Sequence, residues 1–363
     1  MNTVHTLREY VDALHEAGIL VESTVSDELA AREIHCLTYD TRALSEDALF
    51  ICKGAHFKEE YLCDALSRSA IAYVAEKKHN VDAPCLLVND IRYSLVVLGQ
   101  LFYNHVTDKL TSVGITGTKG KTTTTHMIKA ILEAAGKKVG MIGTNGTVIG
   151  DRVTPNLNTT PESYQLHQAF ADMVEAGCEY MIMEVSSQGI KMHRTDGLFF
   201  DYGLFTNISP DHIGPDEHAD FGEYLYYKSR LMTMCKVGLV NRGDEHYEGI
   251  IKDASCRLYT YCVAEGDGAS ADFEARNIRY VAEENFVGTE FDVTGWLSMD
   301  VRLGIPGLFN VDNALAAMSL CSFMGLDKQR MSHALEHIRI TAAWRSFTPP
   351  NAAPCWWTTP TTR

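Results

Sequence analysis

The stretch Gly114-Ile-Thr-Gly-Thr-Lys-Gly-Lys-Thr-Thr123 constrains this chain more than any other. Leu110 to Thr116 is a short apolar, β-branched run that predicts a strand, and Lys121 to Ala135 predicts a helix. On that helix Met127, Ile131 and Ala134 share one face, Ile128 and Leu132 the next, and Gly136 stops it. A strand, a Gly-rich loop and a helix in that order meet what a bound phosphate needs. Glycines admit close backbone approach, and loop amides with a helix N-terminus attract the anion. A Lys reaches the β- and γ-phosphates, and a hydroxyl serves Mg²⁺. Gly117 and Gly120 fill the first role, the amides of Thr118 and Lys119 the second, Lys121 the third, and Thr122 or Thr123 the last. Strict P-loop spacing puts Gly at 115, where Ile115 stands, so Gly117 makes the shorter Thr-Gly-Thr-x-Gly-Lys-Thr form. The bland alternative is a Gly-rich turn with an incidental Gly-Lys-Thr. The flanking strand and helix, placed where the mechanism needs them, argue against it.

The rest of the chain keeps an α/β rhythm. Cys36–Asp40, Ala48–Cys52 and Ala70–Ala75 read as strands, with a helix over Lys58–Ser69. Further strands are expected at Lys138–Ile142, Tyr180–Val185, Tyr202–Ile208 and Val237–Val240. Helices are expected from Thr160-Pro161, over Phe221–Met234 and over Asn310–Met324. This alternation predicts a mostly parallel, helix-covered sheet, with antiparallel hairpins between Phe273 and Leu303. At 363 residues the chain exceeds one ordinary core. We expect a domain over 1–108, a second over 109–338 that carries the phosphate loop, and an aberrant segment over 339–363.

A net charge of −15 disfavours nonspecific binding to nucleic acid or anionic membrane, though not a small anion in one pocket. No run approaches the roughly 20 apolar residues that span a bilayer, and Glu9, Asp12 and Glu16 exclude an ordinary signal peptide. The ten cysteines form no C-x-x-C pair, which excludes zinc-ribbon and thioredoxin readings. A cytoplasmic protein is expected.

Further segments carry a resemblance. Asn158-Thr-Thr-Pro-Glu162, Met183-Glu-Val-Ser-Ser187, Arg194-Thr-Asp-Gly197, Phe205-Thr-Asn-Ile-Ser-Pro-Asp-His212 and Tyr227-Lys-Ser-Arg-Leu231 follow the loop in order. With the loop, they resemble the Mur ligase family, in its UDP-N-acetylmuramoyl-tripeptide synthetase branch. Tyr39-Asp-Thr-Arg42 resembles that branch's UDP-binding Asp-Ser-Arg motif, with Thr41 in place of Ser. The resemblance implies a small N-terminal α/β UDP-binding domain, a central ATP-binding domain and a third, Rossmann-like ligase domain. It implies a cytoplasmic enzyme of peptidoglycan synthesis, and so of cell-wall formation, cell shape and division. ATP activates a substrate carboxylate as an acyl phosphate, and an amine then attacks to give an amide. The implied partners are UDP-N-acetylmuramoyl-L-alanyl-D-glutamate, ATP with Mg²⁺, and a diamino acid, either meso-diaminopimelate or L-lysine.

Glu184 ends a predicted strand, where α/β ligand sites form and a carboxylate can hold Mg²⁺. By resemblance His212 is a second metal ligand, although a lone His is more often packed or solvent-facing. Lys228 matches a Lys that the family carbamylates to hold a second Mg²⁺; from its sequence alone it is a solvated Lys with a packed stem. Arg194 and Ser186 match residues that hold the precursor's peptide and sugar, and Thr159 and Thr160 match a precursor-contacting loop. Thr41 and Arg42 belong with the UDP end. Asn310 matches an Asn near the adenine, or caps its helix.

From Thr341 to Arg363 there is no acid, but four of the ten prolines and three of the four tryptophans. The family's Gly-Arg-Met-Glu and Asp-Tyr-Ala-His-Asn-Pro segments are missing there. Codons shifted by one frame permit Gly-Arg-Met-Glu-Val from Thr341-Ala-Ala-Trp-Arg-Ser, and Tyr-Ala-His-Asn-Pro from the final residues. The expectation is a frameshift near codon 340 that removes the third domain and leaves a poorly active chain. The alternatives are a non-catalytic nucleotide- or precursor-binding protein, and a ligase like folylpolyglutamate synthetase.

Overall fold

Two β-sheets, joined through the short turn Val106–Lys109, organise the chain in the computed structural model, which describes residues 4–54, 57–215, 217–264 and 270–338. The segment 339–363, and with it the expected aberrant tail, lies outside the described residues. The first sheet contains β1 (Leu20–Ser23), β2 (Cys36–Thr38), β3 (Ala48–Ile51), β4 (Ala70–Ala75) and β5 (Cys85–Val88), in the order β1-β5-β4-β3-β2. Its strands pair in parallel except β1, which runs antiparallel to β5. Helices α1 (Leu7–Glu16), α2 (Asp27–Ala30), α3 (Glu59–Arg68) and α4 (Ile91–Phe102) accompany it. Of these, α1, α2, β1, β5 and α4 were not anticipated, although Leu7, Tyr10 and Leu14 do recur on one buried face of α1 at helical spacing.

The second sheet begins with β6 (Thr111–Thr116), β7 (Val139–Gly143), β8 (Gly146–Ile149), β9 (Arg152–Thr154), β10 (Tyr180–Glu184) and β11 (Phe200–Phe205). It continues with β12 (Cys235–Asn241), β13 (Arg257–Val263), β14 (Phe273–Glu283), β15 (Phe286–Gly295) and β16 (Met299–Leu303). The order is β16-β15-β14-β13-β12-β11-β6-β10-β7-β8-β9. The run β14-β13-β12-β11-β6-β10-β7 pairs in parallel, and antiparallel ribbons close both flanks, including the expected hairpins between Phe273 and Leu303. The chain is a mixed α/β protein with mostly parallel sheets.

Helices cover both faces: α5 (Lys121–Ala134), α6 (Ser163–Glu175), α7 (Ser187–Lys191), α8 (Phe221–Ser229), α9 (Tyr247–Ile251), α10 (Leu308–Phe323) and α11 (Lys328–Glu336). Alternation along the strands sends side chains to opposite cores. Ile182 joins Met127, Ile131 and Leu315 on one face, whereas Met181 and Met183 join Phe170 and Tyr224 on the other. Strand β6 lies between β10 and β11, so successive connections leave it in opposite directions and open a crevice at its carboxyl end.

Most boundaries shift by one or two residues, and the three larger differences each have a local reason. The helix expected from Thr160-Pro161 starts at Ser163 with Glu162 at its N-cap, because Thr160 is bonded to β10 instead. The helix expected over Phe221–Met234 ends at Ser229 and tightens to a 3₁₀ turn, Arg230–Thr233. The strand expected to reach Ile208 stops at Phe205, because Thr206 and Asn207 turn onto the phosphate loop. Gly136 stops α5 as expected: at φ +79° it donates to Glu133 O, and Lys137 N donates to Leu132 O. Among the described residues no helix is long and apolar enough to cross a membrane.

Candidate functional site

Strand β6 delivers Gly117 to Gly120 into the crevice, and α5 begins at Lys121. Gly117 lies at φ +144°, and a Cβ there would sit 2.0 Å from Thr206 Oγ1. Gly120 lies at φ +86°, and its Cβ would fall 2.3 Å from Asn313 Oδ1. Both glycines are therefore required by neighbours remote in sequence, on top of any ligand. Thr206 and Asn207 hold the loop from one side: Thr206 Oγ1 donates to Lys119 O at 2.7 Å, Thr118 N to Asn207 O at 2.8 Å, and Lys119 N to Asn207 Oδ1 at 2.9 Å.

At the loop's end, Thr122 Oγ1 donates to Glu184 Oε1 at 2.9 Å. Glu184 is buried at the carboxyl end of β10, and it also accepts from Thr144 N at 3.3 Å and Thr144 Oγ1 at 3.1 Å. A side chain at 143 would collide with it, since a Cβ on Gly143 would stand 2.3 Å from Glu184 Oε1. Lys121 Nζ folds back to Gly117 O at 2.8 Å and Thr118 O at 3.2 Å. Burial pulls its ammonium below the usual lysine range, opposed by Glu184.

Lys228 is not a solvated lysine. It is buried on α8, its Nζ donates to Gly117 O at 2.8 Å, and it stands 4.8 Å from the Tyr224 ring centroid. Burial, with Lys121 nearby, drives its pKa well below the ordinary lysine value. Tyr224 OH meets Thr118 Oγ1 at 3.1 Å, so α8 is pinned to the loop at two points.

His212 follows a different pattern. Its ring is half-exposed, pairs with Glu217 Oε1 at 2.9 Å and lies 6.1 Å from the Tyr224 ring centroid. Among the described residues it hydrogen-bonds neither Glu184 nor Lys228. Its backbone sits at φ +53°, a conformation rare outside Gly and Asn and concentrated at functional turns.

Asn310 lies in the first turn of α10. It is neither the N-cap of α10, which is Gly307, nor part of the cavity beside the loop; its Nδ2 turns back to Pro306 O at 2.7 Å. That cavity, of about 420 Å³, is lined by Gly120, Thr123, Asn241, Phe309, Asp312 and Asn313 among others. Helical spacing explains the difference: 309, 312 and 313 share one face of α10, and 310 points elsewhere. Asn313 also accepts from Thr124 Oγ1 at 3.2 Å.

The expected precursor residues gather around Glu184. Thr160 Oγ1 donates to Glu184 O and accepts from Ser186 N, both at 2.9 Å. Thr159 Oγ1 meets Thr144 Oγ1 at 3.1 Å. Ser186 Oγ accepts from Gly189 N to cap α7. Arg194 Nη1 reaches Thr160 O at 3.2 Å, and its Nε reaches Glu162 Oε1 at 2.8 Å. Thr41 and Arg42 lie apart, in an exposed turn at the carboxyl end of β2. There Asp40 accepts from Arg42 N at 3.0 Å, and the Arg42 guanidinium beside it holds its carboxyl below the usual range. A cavity of about 920 Å³ opens at the carboxyl ends of β3, β4 and β5, lined by Lys53, Glu76, Lys77, Arg92 and, from the other sheet, His193.

Thr144, Tyr224, Thr206, Asn207 and Asn313 were not singled out in the sequence. Thr144 and Thr206 had one legible signal, their places just past strands of a parallel sheet. The rest had none.

A glycine loop and lysine in the crevice of a parallel sheet, with a buried carboxylate on the hydroxyl that follows, define a P-loop protein of the α/β class. Residues 115–321 match the Mur ligase middle domain, and the chain belongs to the Mur ligase family. It is 35% identical over 318 residues to the UDP-N-acetylmuramoyl-L-alanyl-D-glutamate--L-lysine ligase of Streptococcus pneumoniae (strain ATCC BAA-255 / R6), across 87% of this chain and 63% of that one. It is 37% identical over 316 residues to the UDP-N-acetylmuramoyl-L-alanyl-D-glutamate--2,6-diaminopimelate ligase of Caldanaerobacter subterraneus subsp. tengcongensis, across 85% and 63%. A solved UDP-N-acetylmuramoyl-L-alanyl-D-glutamate--2,6-diaminopimelate ligase shares the fold, with a TM-score of 0.77 at 23% identity over 93% of this chain and 67% of that one. The chain thus spans 63% of the length of these two relatives.

Proposed function

We propose that the chain carries the precursor- and nucleotide-binding parts of an ATP-dependent amide ligase. In this reading the ligase adds a diamino acid to UDP-N-acetylmuramoyl-L-alanyl-D-glutamate in the cytoplasm, during peptidoglycan precursor synthesis. Residues 1–108 hold the UDP end, with Thr41 and Arg42, and residues 109–338 hold ATP and the peptide end. The observation that carries this reading is the contact of Thr122 with Glu184, tied through Thr160 to Ser186 and Arg194. Nucleotide-binding and peptide-holding groups thereby share one hydrogen-bonded frame.

The donor set suits Mg²⁺. A hydroxyl and a carboxylate are hard oxygen ligands, and Gly143 leaves the space beside Glu184 that a side chain would fill. Thr122 and Glu184 would hold the ion, and His212, after a turn of its loop, and Lys228 as its carbamate would hold a second. When bound, the metal neutralises phosphate charge. Lys228 is prepared for carbamylation: burial favours its neutral amine, whose lone pair can attack CO₂ to form a carbamate and release one proton. Lys121, Thr118, Lys119 and the loop amides position the γ-phosphate for transfer to the substrate carboxylate, a step that depends chiefly on position and charge. Gly120, Thr123 and Asn313 border the rest of the nucleotide.

Titration calorimetry with Mg-ATP and with the UDP-linked dipeptide tests the reading, followed by assay of phosphate release. Saturable binding of both ligands, with only slow phosphate release, is the expected result. Failure to bind the UDP-linked dipeptide sinks the proposal.

A further inference from the structure

Lys53 leaves the carboxyl end of β3 in the first sheet, whereas Glu162 and Arg194 flank α6 and α7 beside the second. The three side chains meet. Lys53 Nζ donates to Glu162 Oε2, and Arg194 Nε donates to Glu162 Oε1 at 2.8 Å. Their side chains are only 14%, 25% and 13% exposed, in the order Lys53, Glu162, Arg194. Burial opposes ionisation of Glu162, but the two cations prevail and hold its carboxyl below the usual range. Lys53 Nζ also lies 5.5 Å from the Tyr39 ring centroid, next to the exposed Thr41–Arg42 turn.

The bonds continue inward. Arg194 Nη1 donates to Thr160 O, and Thr160 Oγ1 donates to Glu184 O. A single line of contacts therefore runs from Tyr39 through Lys53, Glu162, Arg194 and Thr160 to Glu184. An exposed ion pair contributes little and tolerates removal. Removing one partner of a sheltered pair strands the other charge. Here the stranded group is Arg194, whose guanidinium has five donors in a fixed fork and must be aimed to grip a carboxylate.

We infer that Glu162 is a positioning residue for Arg194, and that Lys53, reaching over from the first sheet, aligns it, so that the peptide end of the precursor is gripped only when the two sheets are docked. The inference rests on the proposed function, in which Arg194 meets the peptide.

The test compares two ligands by calorimetry: UDP-N-acetylmuramoyl-L-alanyl-D-glutamate, and UDP-N-acetylmuramate, which lacks the peptide. Glu162→Gln and Lys53→Met should each weaken the peptide-bearing ligand by about tenfold or more, as loss of one partner of a sheltered charge pair does. The peptide-free ligand and ATP should bind as before. The double variant should be no worse than either single one, because both changes break the same line. Glu162→Asp should recover part of the loss. Unchanged affinity in Lys53→Met, or equal weakening of both precursors and ATP, overturns the inference and leaves the proposed function standing. If the unaltered chain binds neither precursor, the proposed function itself falls, and the positioning role falls with it.

Discussion

Lys121 and Lys228, one opening α5 and the other near the end of α8, donate to the same carbonyl oxygen, that of Gly117, each at 2.8 Å. Two amines on one acceptor in a buried site cannot both hold a proton comfortably, because each raises the other's cost of charging beyond that of burial. Lys228, shielded on all sides and facing Lys121, is the one whose protonation is penalised most.

Lys228→Met should leave the fold intact and stabilise it near neutral pH by about 1 kcal/mol, since it removes a group whose charged form is costly to bury. Gly117 O keeps Lys121 as donor, so no acceptor is orphaned. The sign follows from linkage: with the folded pKa depressed, the unfolded chain binds the extra proton, so wild-type stability declines as pH falls below the unfolded lysine value. The difference between variant and wild type should therefore shrink as pH rises toward about 10. Urea unfolding at several pH values measures it. The same variant should lose the carbamate resonance expected in wild-type protein exposed to ¹³C-bicarbonate.

Glu184→Gln keeps size and can still accept from Thr122, so the melting temperature should change little. The carboxylate's charge is lost, and the affinity for Mg-ATP should drop by about tenfold or more while metal-free ATP is less affected, as expected of a group that acts through a bound cation. Calorimetry with and without Mg²⁺ separates the two. Equal losses in both conditions would count against a metal-holding role.

Two glycines, both at positive φ but in different surroundings, should respond differently to alanine. Gly136→Ala meets nothing within 4 Å and should cost about 1 kcal/mol for its positive φ alone. Gly117→Ala adds a clash with Thr206 Oγ1 and should cost about 2–4 kcal/mol and weaken nucleotide binding. Denaturant midpoints of the two variants decide.

His167 lies buried on α6 where it packs against α4; a Cβ on Gly99 would approach its ring to 3.0 Å. Burial lowers its pKa to about 4, with His105 adding to the shift. Between pH 6.5 and 4 the unfolded chain is protonated and the folded one is not, so stability should fall with pH across that window, by roughly 3 kcal/mol. His167→Leu should flatten this dependence without altering stability above pH 7 by a comparable amount. A parallel pH profile in the two proteins would exclude His167 as the cause.

The phosphate loop was legible because its requirements are local. Gly117, Gly120, Lys121 and Thr122 fall within one strand–loop–helix unit, and spacing alone assigns their roles. Glu184 was legible for a related reason, since a carboxylate ending an apolar run marks the edge of a parallel strand. Thr144 and Asn313, which complete those groups, come from other strands and helices, and a Thr or Asn in isolation carries no spacing signal. Asn310 and Asn313 lie on the same helix, and only the rotation of α10 places 313, rather than 310, against the loop.

Sequence alone therefore determined the α/β class, the phosphate loop and the order of the chemical groups, because those follow from periodicity, glycine placement and short-range spacing. Tertiary structure decided which groups touch: Lys228 on the loop carbonyl, Thr160 on Glu184, and Lys53 across the seam on Glu162. The physical reason is that hydrogen bonds and desolvation act over a few ångströms. Residues as far apart in the chain as Lys228 and Gly117, separated by 111 positions, come within that range only after the sheet order has been set.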